Sequence, residues 1–304
     1  MRFVKFLLLL AALGGGIGWL LTAPDKLDPL AMDGLTGDPE NGALVFAAGG
    51  CASCHAAPGT EGEAKLTLAG GHAFASDFGT FYAPNISPDP THGIGRWQPV
   101  DLANAMIYGT SPDGAHYYPA FPYTSYKGTA LDDVADLWAY MATLPASDMP
   151  SRAHDVGFPF SIRRSLGGWK LLFFNKAADA MQPATAQLQR GQYLVEVLGH
   201  CGECHTARNA LGGLDYANWL GGAPNPSGKG RIPNITPAKL DWSEPDLVEY
   251  FTSGFTPEFD SAGGEMANVV ENLAKLPRTD REAIAAYLKT VPPVQQTCTV
   301  SLCS

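Results

Sequence analysis

Basic side chains are scarce in this chain: Lys and Arg number 20 against 30 Asp and Glu, and the formal net charge is −10. That balance argues against nucleic acid as a partner and suits a solvated surface or a docking face for a basic partner. Nucleotide and acyl chemistry are missing as well. No phosphate loop, dinucleotide fingerprint or Ser-His-Asp set can be read along the chain, so the sequence offers no independent substrate site. Runs of alternating apolar and polar residues, the mark of strands, are absent too. The expected fold class is therefore all-α. Cysteine is limited to six among 304 residues, which makes the placement of each one informative.

Four of the six fall in two copies of one pattern: Cys51-Ala-Ser-Cys54-His55 and Cys201-Gly-Glu-Cys204-His205. C-x-x-C-H is the signature of covalent c-type haem attachment. Two thiols two residues apart reach the two vinyl groups of one porphyrin, and the adjacent histidine lies where it can ligate the iron. The expectation is two covalently bound haem c groups, held by Cys51, Cys54, Cys201 and Cys204, with His55 and His205 as axial ligands. A zinc ribbon would pair its C-x-x-C motifs about 15–20 residues apart, and these lie 150 apart. A thioredoxin-like dithiol would need a βαβ neighbourhood. The remaining Cys298 and Cys303 could close a small disulfide loop or stay free in the tail.

The chain opens with Arg2 and Lys5, followed by eighteen uncharged residues from Phe6 to Ala23. Such a run suits a short transmembrane helix. Pro24 after Ala23 makes cleavage there unfavourable, so an uncleaved signal-anchor over 1–24 is expected, with a cleaved signal as the alternative. Either one exports the rest of the chain.

Beyond the linker the sequence repeats. The haem motifs recur at an offset of 150, Pro84-Asn85-Ile86-Ser87 and Pro233-Asn234-Ile235-Thr236 at 149, Gly109 and Gly254 at 145, and Pro145 and Pro292 at 147. Matching order and near-constant offset indicate a tandem duplication. Its units are expected over 36–147 and 186–294, separated by an ordered connector over 148–185 and followed by a tail over 295–304. Asp38 and Pro39 should start the first helix. Ser243 with Asp246, and Thr279 with Glu282, read as capping boxes. Helices carrying Leu131, Val134, Leu137, Trp138 and Met141, and Ile284, Tyr287, Leu288 and Val291, should close the two units.

Phe81-Tyr-Ala-Pro-Asn-Ile-Ser-Pro-Asp89, Gly93-Ile-Gly-Arg-Trp97, Tyr117-Tyr-Pro-Ala-Phe-Pro-Tyr123 and His200-Cys-Gly-Glu-Cys-His-Thr206 resemble the membrane-anchored multihaem cytochrome c subunits of bacterial periplasmic dehydrogenases. Alcohol dehydrogenase cytochrome subunits are the best-known members; they usually carry three haem motifs, and this chain has two. The resemblance implies two tandem cytochrome c domains behind a transmembrane anchor, in the bacterial inner membrane with the bulk in the periplasm. It implies a dihaem electron carrier, the electron-transfer subunit of an oxidoreductase, that takes electrons from a periplasmic dehydrogenase subunit and passes them to quinone or to a terminal oxidase or cytochrome acceptor. It also places an axial Met at Met266, in a loop before the last helix.

The first unit departs from that pattern, because Phe121 stands at the expected Met position and cannot bind iron. His116 is the nearest replacement in sequence, with Met106, Met141 and Met149 weaker. Arg163, Arg164 and Arg208 are candidates to neutralise haem propionates. Within the connector, Trp169 to Phe174 could touch a membrane but is too short to span one. Phe121 also keeps open a dihaem enzyme of peroxidase or thiosulfate dehydrogenase type acting at the first haem, or a gas-binding module.

Overall fold

The structure is a computed structural model and describes residues 2–177, 183–226 and 230–295. Cys298 and Cys303 lie outside the described residues. Helix α1 (Arg2–Leu21) has a mean hydropathy of 2.0 over its apolar window, none of which is buried against the body. By length and composition it is able to cross a bilayer.

The first half runs through α2 (Pro39–Ala48), the single turn α3 (Cys51–His55), an antiparallel hairpin of β1 (Ala73–Ser76) and β2 (Gly79–Tyr82), α4 (Pro99–Ala103), α5 (Tyr123–Tyr126) and α6 (Leu131–Met141). A π-helical turn over Asn104–Tyr108 continues α4 to Gly109. The connector adds β3 (Asp155–Val156), which pairs with β2, and α7 (Ser165–Phe173). The second half holds α8 (Ala186–Gln192) with a π-helical extension over Tyr193–Leu198, α9 (Gly202–His205), the paired β4 (Ala223–Pro224) and β5 (Arg231–Ile232), α10 (Glu244–Ser253), α11 (Glu265–Leu273) and α12 (Arg278–Leu288). The molecule is mainly helical, but the strands correct the strand-free expectation. They are too short, at two to four residues each, to leave a periodic signature.

Side-chain capping sets several helix starts. Asp38 accepts the Glu40 backbone N–H, with Pro39 at the first position where no donor is needed. Ser243 and Asp246 form the expected box. The Thr279–Glu282 box does not form: α12 starts earlier, and Glu282 instead accepts from Arg278 at 2.8 Å.

Helix α2 crosses α6, and α8 crosses α12. Each crossing is made close by a glycine. A Cβ at Gly42 would lie 2.0 Å from the Asp136 carbonyl oxygen, and one at Gly191 would lie 2.1 Å from that of Ala283. Helices of seven to eleven residues hold little stability alone, so these crossings carry them. Around both crossings the buried apolar side chains form one continuous core spanning the two halves, including Phe46, Leu102, Leu137, Leu194, Leu247 and Leu288. A smaller cluster of Phe81, Tyr118 and Leu166 seats α7 on the hairpin.

Candidate functional site

Cys51, Cys54 and His55 share the single turn of α3. Residues three apart on a helix face the same way, so both thiols are offered from one side with the imidazole next in line. Cys201 caps α9 with helical dihedrals, φ −55° and ψ −33°, and thereby repeats the turn with Cys204 and His205. The residue entering each turn is left-handed: Gly50 at φ +60° and His200 at φ +38°. That conformation costs a non-glycine residue about 1 kcal/mol. His200 is held in it by packing edge-on against Tyr126, with ring centroids 5.4 Å apart.

Each motif histidine is oriented by a proline carbonyl. Nδ1 of His55 lies 2.9 Å from the Pro84 oxygen, and Nδ1 of His205 lies 2.8 Å from that of Pro233. A carbonyl only accepts, so Nδ1 carries the proton and Nε2 keeps its lone pair. Burial lowers the pKa of both imidazoles, against the opposing pull of those carbonyls, and so favours the neutral form. A neutral imidazole with a fixed Nδ1–H and a free Nε2 is the donor state iron needs. Two thiols on one face beside such an imidazole fit covalent haem c, and the fit occurs twice.

Burial pushes the Cys51 and Cys201 thiols up to about 12 and the Cys54 thiol up to about 11, whereas a redox-active dithiol needs a depressed value. Among the described residues no group of three or more His, Cys, Asp or Glu side chains could hold a bare metal ion.

The Pro-Asn-Ile-Ser/Thr repeat acquires a role that sequence reasoning missed. Its Pro supplies the carbonyl to the motif histidine. Its buried Asn bonds the chain after each closing helix, with Asn85 Nδ2 to the Ser147 carbonyl and Asn234 Nδ2 to that of Val294, both at 2.8 Å. The signal was available, since this repeat keeps an offset within one residue of that of the haem motifs.

The two turns are also tied across the halves. Ser53, inside the first motif, accepts from Asn272 Nδ2 of α11 at 2.9 Å. Glu203, at the corresponding place in the second, accepts from Thr124 and Ser125 of α5 at 2.8 and 3.0 Å, and from Arg208. Tyr126 donates to the Gly49 carbonyl at 3.0 Å while its ring meets His200. Cys54 and Cys204 are close enough for charge on one to raise the pKa of the other.

The loops after α4 and α10 are in register. Gly109 accepts from Tyr117 N–H and Gly254 from Ala262 N–H, both at 2.8 Å, and bridges Thr110–His116 and Phe255–Ser261 close them. The common offset of 145 carries Phe121 onto Met266. Met266 is half-buried against the core, but in the first turn of α11 rather than in a loop. Phe121 is half-buried between Tyr117 and Tyr126, at centroid distances of 6.1 and 5.7 Å.

His116 is engaged elsewhere: its Nε2 bonds the Thr22 carbonyl at 3.0 Å, and its ring abuts Gly167 of α7. Met106 and Met141 are buried in the core, and Met149 is exposed. The three arginines named as propionate candidates each have a protein partner. Arg163 bonds the His116 carbonyl, Arg164 that of Trp19, and Arg208 pairs with Glu203.

Fold and site thus define a helical protein built to attach haem covalently. The sequence profile of the family Cytochrome c matches residues 39–145. A diheme cytochrome c-type protein of Cereibacter sphaeroides is 57% identical over 95% of this chain and 97% of its own length. The fructose dehydrogenase cytochrome subunit of Gluconobacter japonicus is 39% identical over 83% of this chain and 52% of its own. An alcohol dehydrogenase (quinone) cytochrome c subunit of Komagataeibacter europaeus is 35% identical over 84% and 56%. The chain therefore spans about half the length of those two dehydrogenase subunits. It belongs to the multihaem cytochrome c subunits of dehydrogenases, and electron transfer is the function that this membership carries.

Proposed function

We propose that the chain is a dihaem electron carrier made of two tandem cytochrome c domains, residues 36–147 and 186–294. Helix α1 anchors it in the bacterial inner membrane with the bulk in the periplasm. It takes electrons from a dehydrogenase subunit and delivers them to quinone or to a terminal oxidase or cytochrome acceptor. The observation that carries this reading is the duplicated turn, with each motif imidazole locked by a proline carbonyl and each turn tied to the opposite half.

Haem c, when bound, supplies a one-electron iron couple. The residues do the rest. Cys51 and Cys54, and Cys201 and Cys204, fix the two groups covalently. His55 and His205 offer Nε2, and the Pro84 and Pro233 carbonyls hold each ring in that tautomer. Met266 would offer a thioether to the second group, a ligand type that raises the potential, whereas Phe121 has no ligand atom to offer the first. The dehydrogenase partner is supported by the relatives named as cytochrome subunits of fructose and alcohol dehydrogenases.

The test is a redox titration of the purified full chain together with its intact mass. Two covalent haems and two resolved one-electron waves are expected. A single haem, or two equal high-potential waves with methionine-type spectra, would sink the proposal of unlike sites. Phe121 favours a second reading, chemistry at the first haem. Carbon monoxide binding by the reduced protein, with turnover of peroxide or thiosulfate, would favour it; binding without turnover would point to a gas-binding module.

A further inference from the structure

The connector carries a surface that electron carriage leaves unexplained. From Gly157 to Ala177 there is no Asp or Glu, while Arg163, Arg164, Lys170 and Lys176 all occur. A wholly cationic stretch stands out in a chain of formal net charge −10. The same stretch exposes large apolar side chains. Phe158 is 83% exposed, Leu171 62%, Leu172 56%, Ile162 48% and Phe160 45%. The opposite side of α7, formed by Leu166, Lys170 and Phe173, is buried in the body.

This surface is fastened to the end of α1. The Arg164 guanidinium lies 4.1 Å over the Trp19 ring and donates to the Trp19 carbonyl. Gly167 abuts Thr22, so closely that a Cβ would meet the Thr22 carbonyl oxygen at 2.3 Å. His116, beneath α7, bonds that same oxygen. Chain continuity then keeps Phe158 to Gly167 near the point where the apolar helix ends.

We infer that residues 158–172 lie in the headgroup layer of the bilayer that α1 enters, forming a second membrane contact beside the anchor. The inference rests on the reading of α1 as a retained anchor. Exposed apolar side chains in a stretch without acids are the composition of interfacial segments, whose rings and leucines enter the acyl boundary. Arg163 and Arg164, half-buried on the His116 and Trp19 carbonyls, hold the stretch to the end of α1. Trp19 with Arg164 stacked on it has the amphipathic character of a helix end at the interface. Two attachments fix the tilt of the body, where one would leave it free to swing. The loop over residues 108–118, packed under α7, is thereby held on the membrane side. The sequence pointed to Trp169 to Phe174 for such a contact. The structure shifts it towards the N-terminus, because Lys170, Phe173 and Phe174 turn inward and Trp169 Nε1 bonds the Leu211 carbonyl at 2.8 Å.

The test uses the full-length haem-loaded chain in vesicles of equal parts phosphatidylcholine and phosphatidylglycerol. A trace of the phosphatidylcholine carries a photoreactive diazirine high on one acyl chain, and adducts are mapped by mass spectrometry. Adducts on both α1 and 158–172 are expected. The variant L171D/L172D, with its haem spectrum unchanged, should keep the α1 adducts and lose the second set severalfold. Adducts on α1 alone would overturn the inference, leave the anchor standing and give this surface to a protein partner. Adducts on neither segment would overturn both.

Discussion

At Phe121 the chain presents an aromatic ring where, 145 residues later in the same loop register, it presents the thioether of Met266. A Met thioether favours reduced iron and an apolar ring binds nothing, so single exchanges should move one haem at a time. Met266→Phe is expected to remove methionine-type features from one haem and lower its potential by on the order of 0.1 V, a fraction of the ~0.8 V that axial ligands command. Phe121→Met should move the other haem upward by a similar amount. A spectroelectrochemical titration of both variants checks this, and two unmoved waves would refute the register. This asymmetry was legible in the sequence through the family resemblance, whose expected Met position falls on Phe121 in the first half and on Met266 in the second. The engagement of His116 was not, because its partner Thr22 lies 94 residues away and no local pattern records that contact.

Among elements, the paired crossings α2–α6 and α8–α12 depend on two glycines. Gly42→Ala or Gly191→Ala sets a methyl about 2 Å from a backbone carbonyl of the opposing helix, too close without separating the pair. Each should cost ~1–3 kcal/mol, typical of overpacking, read as a lower urea midpoint with the slope unchanged. The cross-half ties should rank by what each leaves unpaired. Ser53→Ala removes one neutral bond and should cost ~1 kcal/mol. Glu203→Ala removes the carboxylate partner of Arg208 and leaves the Thr124 and Ser125 hydroxyls unpaired, and should cost ~2–3 kcal/mol by the same measurement. Helix existence was readable from caps and apolar spacing, as with Asp38 and Ser243. α11 was missed because its counterpart α5 has only four residues, so the repeat gave no template for it. The hairpin escaped notice because β1 and β2 hold only four residues each, too few to leave a periodic signature.

For the whole molecule, the halves are joined by charge as well as by packing. Lys65 of the first half bonds Glu271 of α11 at 2.6 Å, and that hydrogen bond holds the Glu271 carboxyl below its ordinary value. A depressed carboxylate stabilises above its unfolded value and loses that contribution as pH falls through the folded one. The carboxylate is 46% exposed, so solvent screening limits the gain to about 0.5 kcal/mol. Glu271→Gln should therefore flatten the acid limb of stability against pH slightly, and leave it unchanged if the pair is idle. The net charge of −10 further predicts that electron transfer from a basic partner slows as salt rises. Stopped-flow rates across ionic strength would reveal it.

The tie between Ser53 and Asn272 joins residues 219 apart, which bears on the order of assembly. On the proposed export, the chain would emerge from its N-terminal side, so the first attachment turn would reach the maturation machinery long before Asn272 had been translocated. The first porphyrin can then be ligated while its turn is still uncovered by the opposite half. The second turn, by contrast, emerges after Thr124 and Ser125, so the partners of Glu203 are already present. Maturation would thus run in sequence, and the late arrival of α11 would seal the early site.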